Sequence, residues 1–550
     1  MLVYLGFFLA AFLIAQTDQR RQRFAEGIAI ALALIAFAAL CSRLFPHFLD
    51  LGPGLGTGPR LRWPLGYWNA DGIVFGMGAA MALWMSRHSL TAALRWLAVA
   101  SLPVLLLALY FTYSRGGLLS LLVASACLLV LSHDRLWLLG TLAIGALGAL
   151  PAVLAVQARR ELADNFASQQ AIDQGVTVAL LLLAGIALAL LLYAGLRRLE
   201  GKDGGFTGRA VAISRNPVVL KRLALVGALL AIGVAIAVGG RAWDQFSNSD
   251  VQFPNQPEQH FSQLSGAGRH DFWRVAVDAF EEKPVLGHGA GTYRFSWLQL
   301  RSIPMPVLDA HSLYLEAFSE LGLVGGLLVL AMVLTLLWAG LSAWKAAQGR
   351  QRELCAVLLA VSVTFAVGAG IDWFWEIAVV GAIFFLASGA LVAARCAQLS
   401  QARGEAEGNG ERRRFGLAVG GLAIAWITAL ALIGPLLVDR EIKASQSAAA
   451  DGNIASAVNH ADTARTIEPW AATPYVQLGL LAQLQGDFVT ASGRLSQAIH
   501  REDRNWLLYY LRSKIEHEAG EGDSARADLR RAQQLNPREN CLREGWDGCG

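Results

Sequence analysis

Three residues of this chain could act together on a phosphorylated substrate: Arg115, Arg269 and His311. His311 and Ser312 end a long polar segment, and an apolar run begins at about Leu321. Ionisable groups near membrane depth are costly, so an imidazole at the lip of a membrane helix is a functional candidate by default. An imidazole titrates near pH 6.5 and can take a proton from a hydroxyl at neutral pH. Arg115 lies in Thr112-Tyr113-Ser114-Arg115-Gly116-Gly117, between two apolar runs with almost no loop. There it either snorkels to lipid head groups or is aimed at phosphate, which its planar fork grips bidentately. Taken alone, Arg269 reads as a solvated charge and His311 as a structural residue. Convergence at one membrane face is what would make the three a site.

The elements that must position them are membrane helices. The chain is 55% hydrophobic and only 16% charged, against roughly 25% charged in a soluble domain, and its mean hydropathy is +0.44. The net charge is +4; no nucleic-acid partner and no cofactor are expected. Met1 to Ala15 is apolar but lacks the basic start and small-residue cleavage site of a signal peptide. A spanning helix needs about 20 apolar residues. Spans are expected at roughly 1–15, 27–45, 70–86, 95–113, 116–132, 136–156, 175–196, 221–240, 320–344, 353–371, 374–394 and 415–438. Basic residues cluster on every second connection: Arg20, Arg21 and Arg23; Arg87 and Arg95; Arg197 through Arg222; Lys345, Arg350 and Arg352; Arg395 through Arg414. Placing those loops in the cytoplasm puts 46–69, Ser114-Arg115, 157–174, 241–319 and everything after about Asp439 outside. The first span is short and the alternation puts the N-terminus outside, as expected of a chain preceded by one more helix.

Segment 241–319 is too long for a simple connection, and long loops tend to be functional. An amphipathic helix is expected from Arg269 to Phe280, with Phe272, Trp273, Val275, Ala276 and Phe280 apolar; Pro284 ends it. Gly287-His288-Gly289-Ala290-Gly291 is no dinucleotide fingerprint, since no strand precedes it. It reads as a flexible turn returning the loop to the membrane. His260, His270, His288 and His311 share this loop, but their scattered spacing does not suggest the fixed geometry of a zinc site. No DxD-like carboxylate pair lies in an outer loop, so no metal is expected.

Taken together, these residues resemble the O-antigen ligase family of polytopic glycosyltransferases. The family's histidine motif is His, then Asn/Ser/Gln, nine residues, Gly, two residues, and Gly/Thr/Tyr; His311, Ser312, Gly322 and Gly325 fit every position. Its arginine motif, Arg, three residues, Leu, is met by Arg115 and Leu119. Arg269-His270-Asp271-Phe272-Trp273 with Pro284-Val285-Leu286-Gly287 looks like the stretch carrying a further functional arginine. Gly66-Tyr67-Trp68-Asn69-Ala70 is similar to a Tyr-x-Asn-Ala element before an early span. The resemblance covers roughly residues 60–395. It implies an all-α polytopic membrane helical bundle of about 12 spans with a large periplasmic loop, in a bacterial inner membrane. It implies transfer of a glycan from a polyprenyl-diphosphate lipid to a lipid or protein acceptor hydroxyl. His311 would be the base, with its pKa near neutrality, and Arg115 and Arg269 would bind the diphosphate. The same motifs are shared by O-antigen polymerases and protein O-oligosaccharyltransferases.

After Asp439 the chain turns polar, and a repeat appears: Gly452-Asn453 with Ala457, Gly486-Asp487 with Ala491, Gly522-Asp523 with Ala527. The first step matches the tetratricopeptide period and the second is longer by two. The expected division is therefore a membrane glycosyltransferase-like domain, 1–438, with its loop at about 241–319, and an extracytoplasmic tetratricopeptide-like domain, 439–550. Such a stack would bind a protein partner and be separable from the membrane half. Cys41, Cys127, Cys355 and Cys396 lie in or beside spans; Cys541 and Cys549 could pair in an oxidising compartment. Two other classes share this composition. Against a transporter or flippase, the membrane half has no internal repeat and no chain of buried charges. Against a non-catalytic envelope scaffold stand the intact His311 and Arg115 motifs.

Overall fold

A computed structural model describes residues 2–46, 60–159, 161–162, 168–200, 239–241, 243–248, 261, 265–402, 407–547 and 549. Every regular element among them is helical. In chain order these are α1 (Leu2–Ile14), α2 (Asp18–Leu44), α3 (Trp68–His88), α4 (Ala92–Phe111), α5 (Arg115–Leu131), α6 (Arg135–Gln157) and α7 (Gln169–Glu200). There follow α8 (Arg269–Glu282), α9 (Tyr293–Leu300), α10 (Leu313–Ala346), α11 (Gly349–Ala369), α12 (Ala378–Ala402) and α13 (Glu407–Ala450). The last five are α14 (Ile454–Ile467), α15 (Thr473–Leu484), α16 (Phe488–Ile499), α17 (Trp506–Glu518) and α18 (Gly522–Leu535). Seven helices, α2, α4, α6, α7, α10, α11 and α12, are long and apolar enough to cross a bilayer. Helices also occupy the expected spans at 1–15, 70–86, 116–132 and 415–438, while the one expected at 221–240 falls almost wholly outside the described residues.

The bundle is built around α3. Ala70 through Ser86 are all buried, as expected of a helix that is apolar or small on every side. Small residues let its neighbours close in. A methyl group on Gly76 would fall 2.0 Å from Ser120 Oγ of α5, and one on Gly117 would fall 2.8 Å from Gly72 Cα. In lipid there is no hydrophobic gain from pairing apolar helices, so close backbone packing of this kind holds them. One end of the bundle carries acidic groups and their partners: Glu26 accepts from Ser89 and the Leu90 N–H, Arg87 lies 3.6 Å from Asp134, and His88 lies 3.4 Å from Asp134 and 3.9 Å from Glu353. The opposite end carries Arg60, Arg115, Arg269 and His311.

The expected amphipathic helix is present as α8, two residues longer than expected. With α9 and residues 303–310 it forms a small core of its own, from Phe272, Val275, Ala276, Tyr293, Trp297, Ile303, Val307 and Ala310. The glycine-rich stretch after it is not a loose turn. The Gly289 N–H donates to the Glu320 carbonyl at 2.8 Å, and the Glu320 carboxylate accepts from the Gly291 and Tyr293 N–H groups at 2.8 and 2.9 Å.

The C-terminal helices stack as successive pairs. The sequence repeat is corrected here: the third turn glycine is Gly520, with φ +82°, beside +77° at Gly452 and Gly486. Gly522 instead opens α18. Both steps are thus 34 residues, and the buried alanines recur in register as Ala457, Ala491 and Ala525. The misreading arose because Gly522-Asp523 imitates the Gly-Asp pair that turns the second repeat. Cys541 and Cys549 form a disulfide. The stack leans on the segment between α8 and α10: Arg504 donates to His288 Nδ1 (2.6 Å) and Gln299 (3.1 Å), and Arg301 donates to Asn536 (3.0 Å). The expected independence of the stack therefore meets side-chain contacts that tie it to α9 and the turn before it.

Candidate active site

The tight α3–α5 crossing brings the starts of both helices together. The Ser114 hydroxyl caps α5 by accepting from the Gly117 N–H (3.0 Å) and donates to Asn69 Oδ1 (2.6 Å). Arg115, the first residue of α5, thereby opens on the same space as Tyr67 and Asn69. Asp372, in the turn between α11 and α12, closes the circle. Its carboxylate accepts from Tyr67 OH (2.9 Å), Asn69 Nδ2 (2.7 Å), Arg269 Nη2 (2.7 Å) and the Trp373 N–H (2.8 Å). Four donors on one carboxylate that is 5% exposed satisfy its charge. Arg269 Nε also donates to the Ile371 carbonyl (2.8 Å). Arg269 is thus fixed across the bundle rather than solvated.

These groups line a cavity of about 760 Å³ together with His311. Arg60 adds a third guanidinium, held by the Thr112 and Tyr113 carbonyls at 2.9 and 3.0 Å and lying 4.4 Å over the Trp68 ring. Burial first, then the Arg115 and Arg269 charges, pull the Arg60 pKa down to about 10 against the raising effect of Tyr67 and Asp372. It remains a cation at neutral pH.

His311 sits just before α10, whose N-cap is Ser312. A carbonyl only accepts, so the 3.1 Å contact with the Asp309 carbonyl makes His311 Nδ1 the N–H nitrogen. Nε2 then carries the lone pair a base needs. The ring packs against Phe272 at 5.0 Å between centroids. Burial lowers the imidazole pKa below its ordinary value, and Arg269 adds to this against Asp372. The expectation of a pKa near neutrality moves down accordingly. The three non-glycine residues at positive φ among those described are Tyr113 (45°), Ala267 (51°) and His311 (53°), and all three line this cavity. Backbone held in such costly conformations gathers at working sites.

Two carboxylates, Asp309 and Glu376, line another wall. Ligand oxygens of Asp309, Glu316 and Glu376 lie within 4.8 Å of one another, close enough to share a divalent cation; among the described residues this is the group of three or more that meets that test. His270, His288 and His311 form no such group, and His260 lies outside the described residues. Burial, then Asp309 and Glu320, push Glu376 up to about 7.

Gly322 of the histidine motif does something other than pack a span against a neighbouring helix. It breaks α10, with φ +64° and ψ −164°. A methyl group there would lie 2.4 Å from the Val285 carbonyl carbon. The freed N–H of Leu323 donates to Pro284 at 2.7 Å. The motif's glycine therefore locks the Pro284–Val285 segment to the helix behind His311. Gly322→Ala is expected to destabilise by at least about 1–3 kcal/mol from backbone strain alone. Thermal melting in detergent measures it, and an unchanged midpoint would refute the locking role.

Arg115, Arg269 and His311 thus meet, as the sequence led one to expect. Asp372, Arg60 and the carboxylate trio were missed. Asp372 could have been sought as the buried partner that Arg269 requires; the others had no signal apart from the fold.

A family model described as O-antigen ligase matches residues 174–330. That segment holds Arg269, His311, Gly322 and Gly325, but not Arg115. An uncharacterized protein of Haemophilus influenzae is 24% identical over 152 residues, covering 25% of this chain and 38% of that protein. The family match supports placement in the O-antigen ligase-like superfamily.

Proposed function

We propose that this protein transfers a glycan from a polyprenyl-diphosphate lipid to an acceptor hydroxyl at the outer face of a bacterial inner membrane. The observation that carries the reading is the meeting of Arg115, Arg269 and His311 in one cavity, from three separate parts of the chain. The leaving group is a diphosphate, which needs charge stabilisation more than a proton. Arg115 and Arg269 supply it through their planar forks. His311 Nε2 takes the acceptor hydroxyl's proton as the oxygen attacks the anomeric carbon, and the diphosphate leaves on its lipid with the bonding pair. The reaction needs no metal: the expected transfer rate is unchanged by EDTA. A rate abolished by EDTA and restored by Mg²⁺ would assign a cation to Asp309, Glu316 and Glu376.

The 34-residue repeat supports a tetratricopeptide-like array that binds a protein partner or acceptor. The basic loops at the bundle's other end and the Cys541–Cys549 disulfide support an extracytoplasmic position for it. A C-terminal alkaline phosphatase fusion should be active; an inactive fusion with an active cytoplasmic reporter would reverse the orientation.

The glycan profile of a strain lacking the protein tests the function. Loss of long chains from a lipid core, of polymer length, or of protein glycans would each support transfer and choose the acceptor. Unchanged glycans in all three fractions would contradict it.

A further inference from the structure

We propose that Trp470 anchors the near edge of the C-terminal stack in the lipid head-group layer. The argument is one of depth. The apolar run of α13 ends at Val438, and Asp439, Arg440 and Glu441 follow. Leu436 is exposed on that helix, whereas Val438 and Ile442 are covered by Ala464 and Ile467 of α14. From Gly434 to Ala450 a helix rises roughly 24 Å, and the residues of α14 bring the chain back by roughly 21 Å. The return is visible in the contacts: a carboxylate oxygen of Glu468, just past α14, lies 3.0 Å from where a Cβ on Gly434 would stand. The turn at 468–472 is therefore level with Gly434, about one helical turn inside the end of the apolar run.

Trp470 is two residues beyond Glu468, and the turn that holds it is fixed. The Ala471 N–H donates to the Glu468 carbonyl (3.1 Å), and the Pro469 carbonyl accepts from Tyr475 OH (3.1 Å) and Arg501 Nε (2.9 Å). On this turn the indole is 71% exposed. An indole has an apolar body and one N–H donor, so the bilayer interface suits it better than water. The stack's other strongly exposed apolar side chains, Leu484 at 69% and Val489 at 82%, lie at the far ends of α15 and α16, away from the bilayer. The near edge also carries Arg504 and Asn536, which bind the outer loop. The stack is thus seated on lipid and loop together and leaves its far edge open.

The test uses full-length protein with the exposed Cys396 replaced by serine. Trp470→Cys, Leu436→Cys and Val489→Cys are each labelled with a small fluorophore and reconstituted into phosphatidylethanolamine–phosphatidylglycerol vesicles. The vesicles contain lipids bearing a nitroxide quencher at the head group or shallow acyl chain. Quenching at 470 should approach that at 436 and exceed that at 489 severalfold. Quenching at 470 as weak as at 489 would overturn the anchor.

Discussion

Replacing His311 with alanine should lower glycan transfer by about 10²–10⁴, the usual worth of general base catalysis. Expression and donor binding should stay close to wild type, because Arg269, one of the two arginines proposed to bind the donor, is held by Asp372 and the Ile371 carbonyl rather than by His311. The pH profile gives an independent check. The imidazole accepts a proton only when neutral, so wild-type rate should rise with pH. Because burial lowers its pKa, the rise should be centred below the ordinary histidine value and the rate should be flat above it. An alanine variant with near-normal turnover, or one that loses donor affinity alone, would make His311 structural or a phosphate ligand.

Arg115→Lys and Arg269→Lys should each cost about 10- to 100-fold in turnover although the charge is kept. A lysine is a point charge and loses the second of two parallel bonds to phosphate, and a bond to a charged group is worth about 1.5–3 kcal/mol. The two variants differ in their side effects. Arg269 also neutralises buried Asp372, and breaking a buried pair costs about 3–5 kcal/mol of stability. Lysine cannot reach both Asp372 and the Ile371 carbonyl as the fork does. Arg269→Lys should therefore melt earlier as well as turn over more slowly, whereas Arg115→Lys should lose turnover with little change in melting. Full activity in either lysine variant would relegate that arginine to snorkelling or to structure.

What could be read from the sequence follows physical range. Hydrophobic runs of membrane length are local signals, and among the described residues helices stand at the eleven expected spans that these residues cover. The amphipathic run from Arg269 was likewise legible, because its period repeats within a few turns. Asp372 was not: its partners, Tyr67, Asn69 and Arg269, lie between 103 and 305 residues away, and nothing local marks a carboxylate in an Ile-Asp-Trp turn as their meeting point. Gly322 was legible as a position but not as a helix break, since a glycine in an apolar run reads equally as a packing site. Its role follows from the Val285 backbone pressed against it. The second repeat step was misplaced because a Gly-Asp pair was matched to a Gly-Asp pair, whereas the fold aligns the glycine with φ +82° at 520.

The most direct test is single-turnover transfer by purified protein in vesicles, with a polyprenyl-diphosphate glycan as donor and a matched acceptor. The wild type should form one glycosylated acceptor for each lipid diphosphate released, and the His311→Ala protein should bind the donor but release the diphosphate about 10²–10⁴ times more slowly. Donor crossing the bilayer without any glycosidic bond formed, or equal turnover in both proteins, would contradict the account.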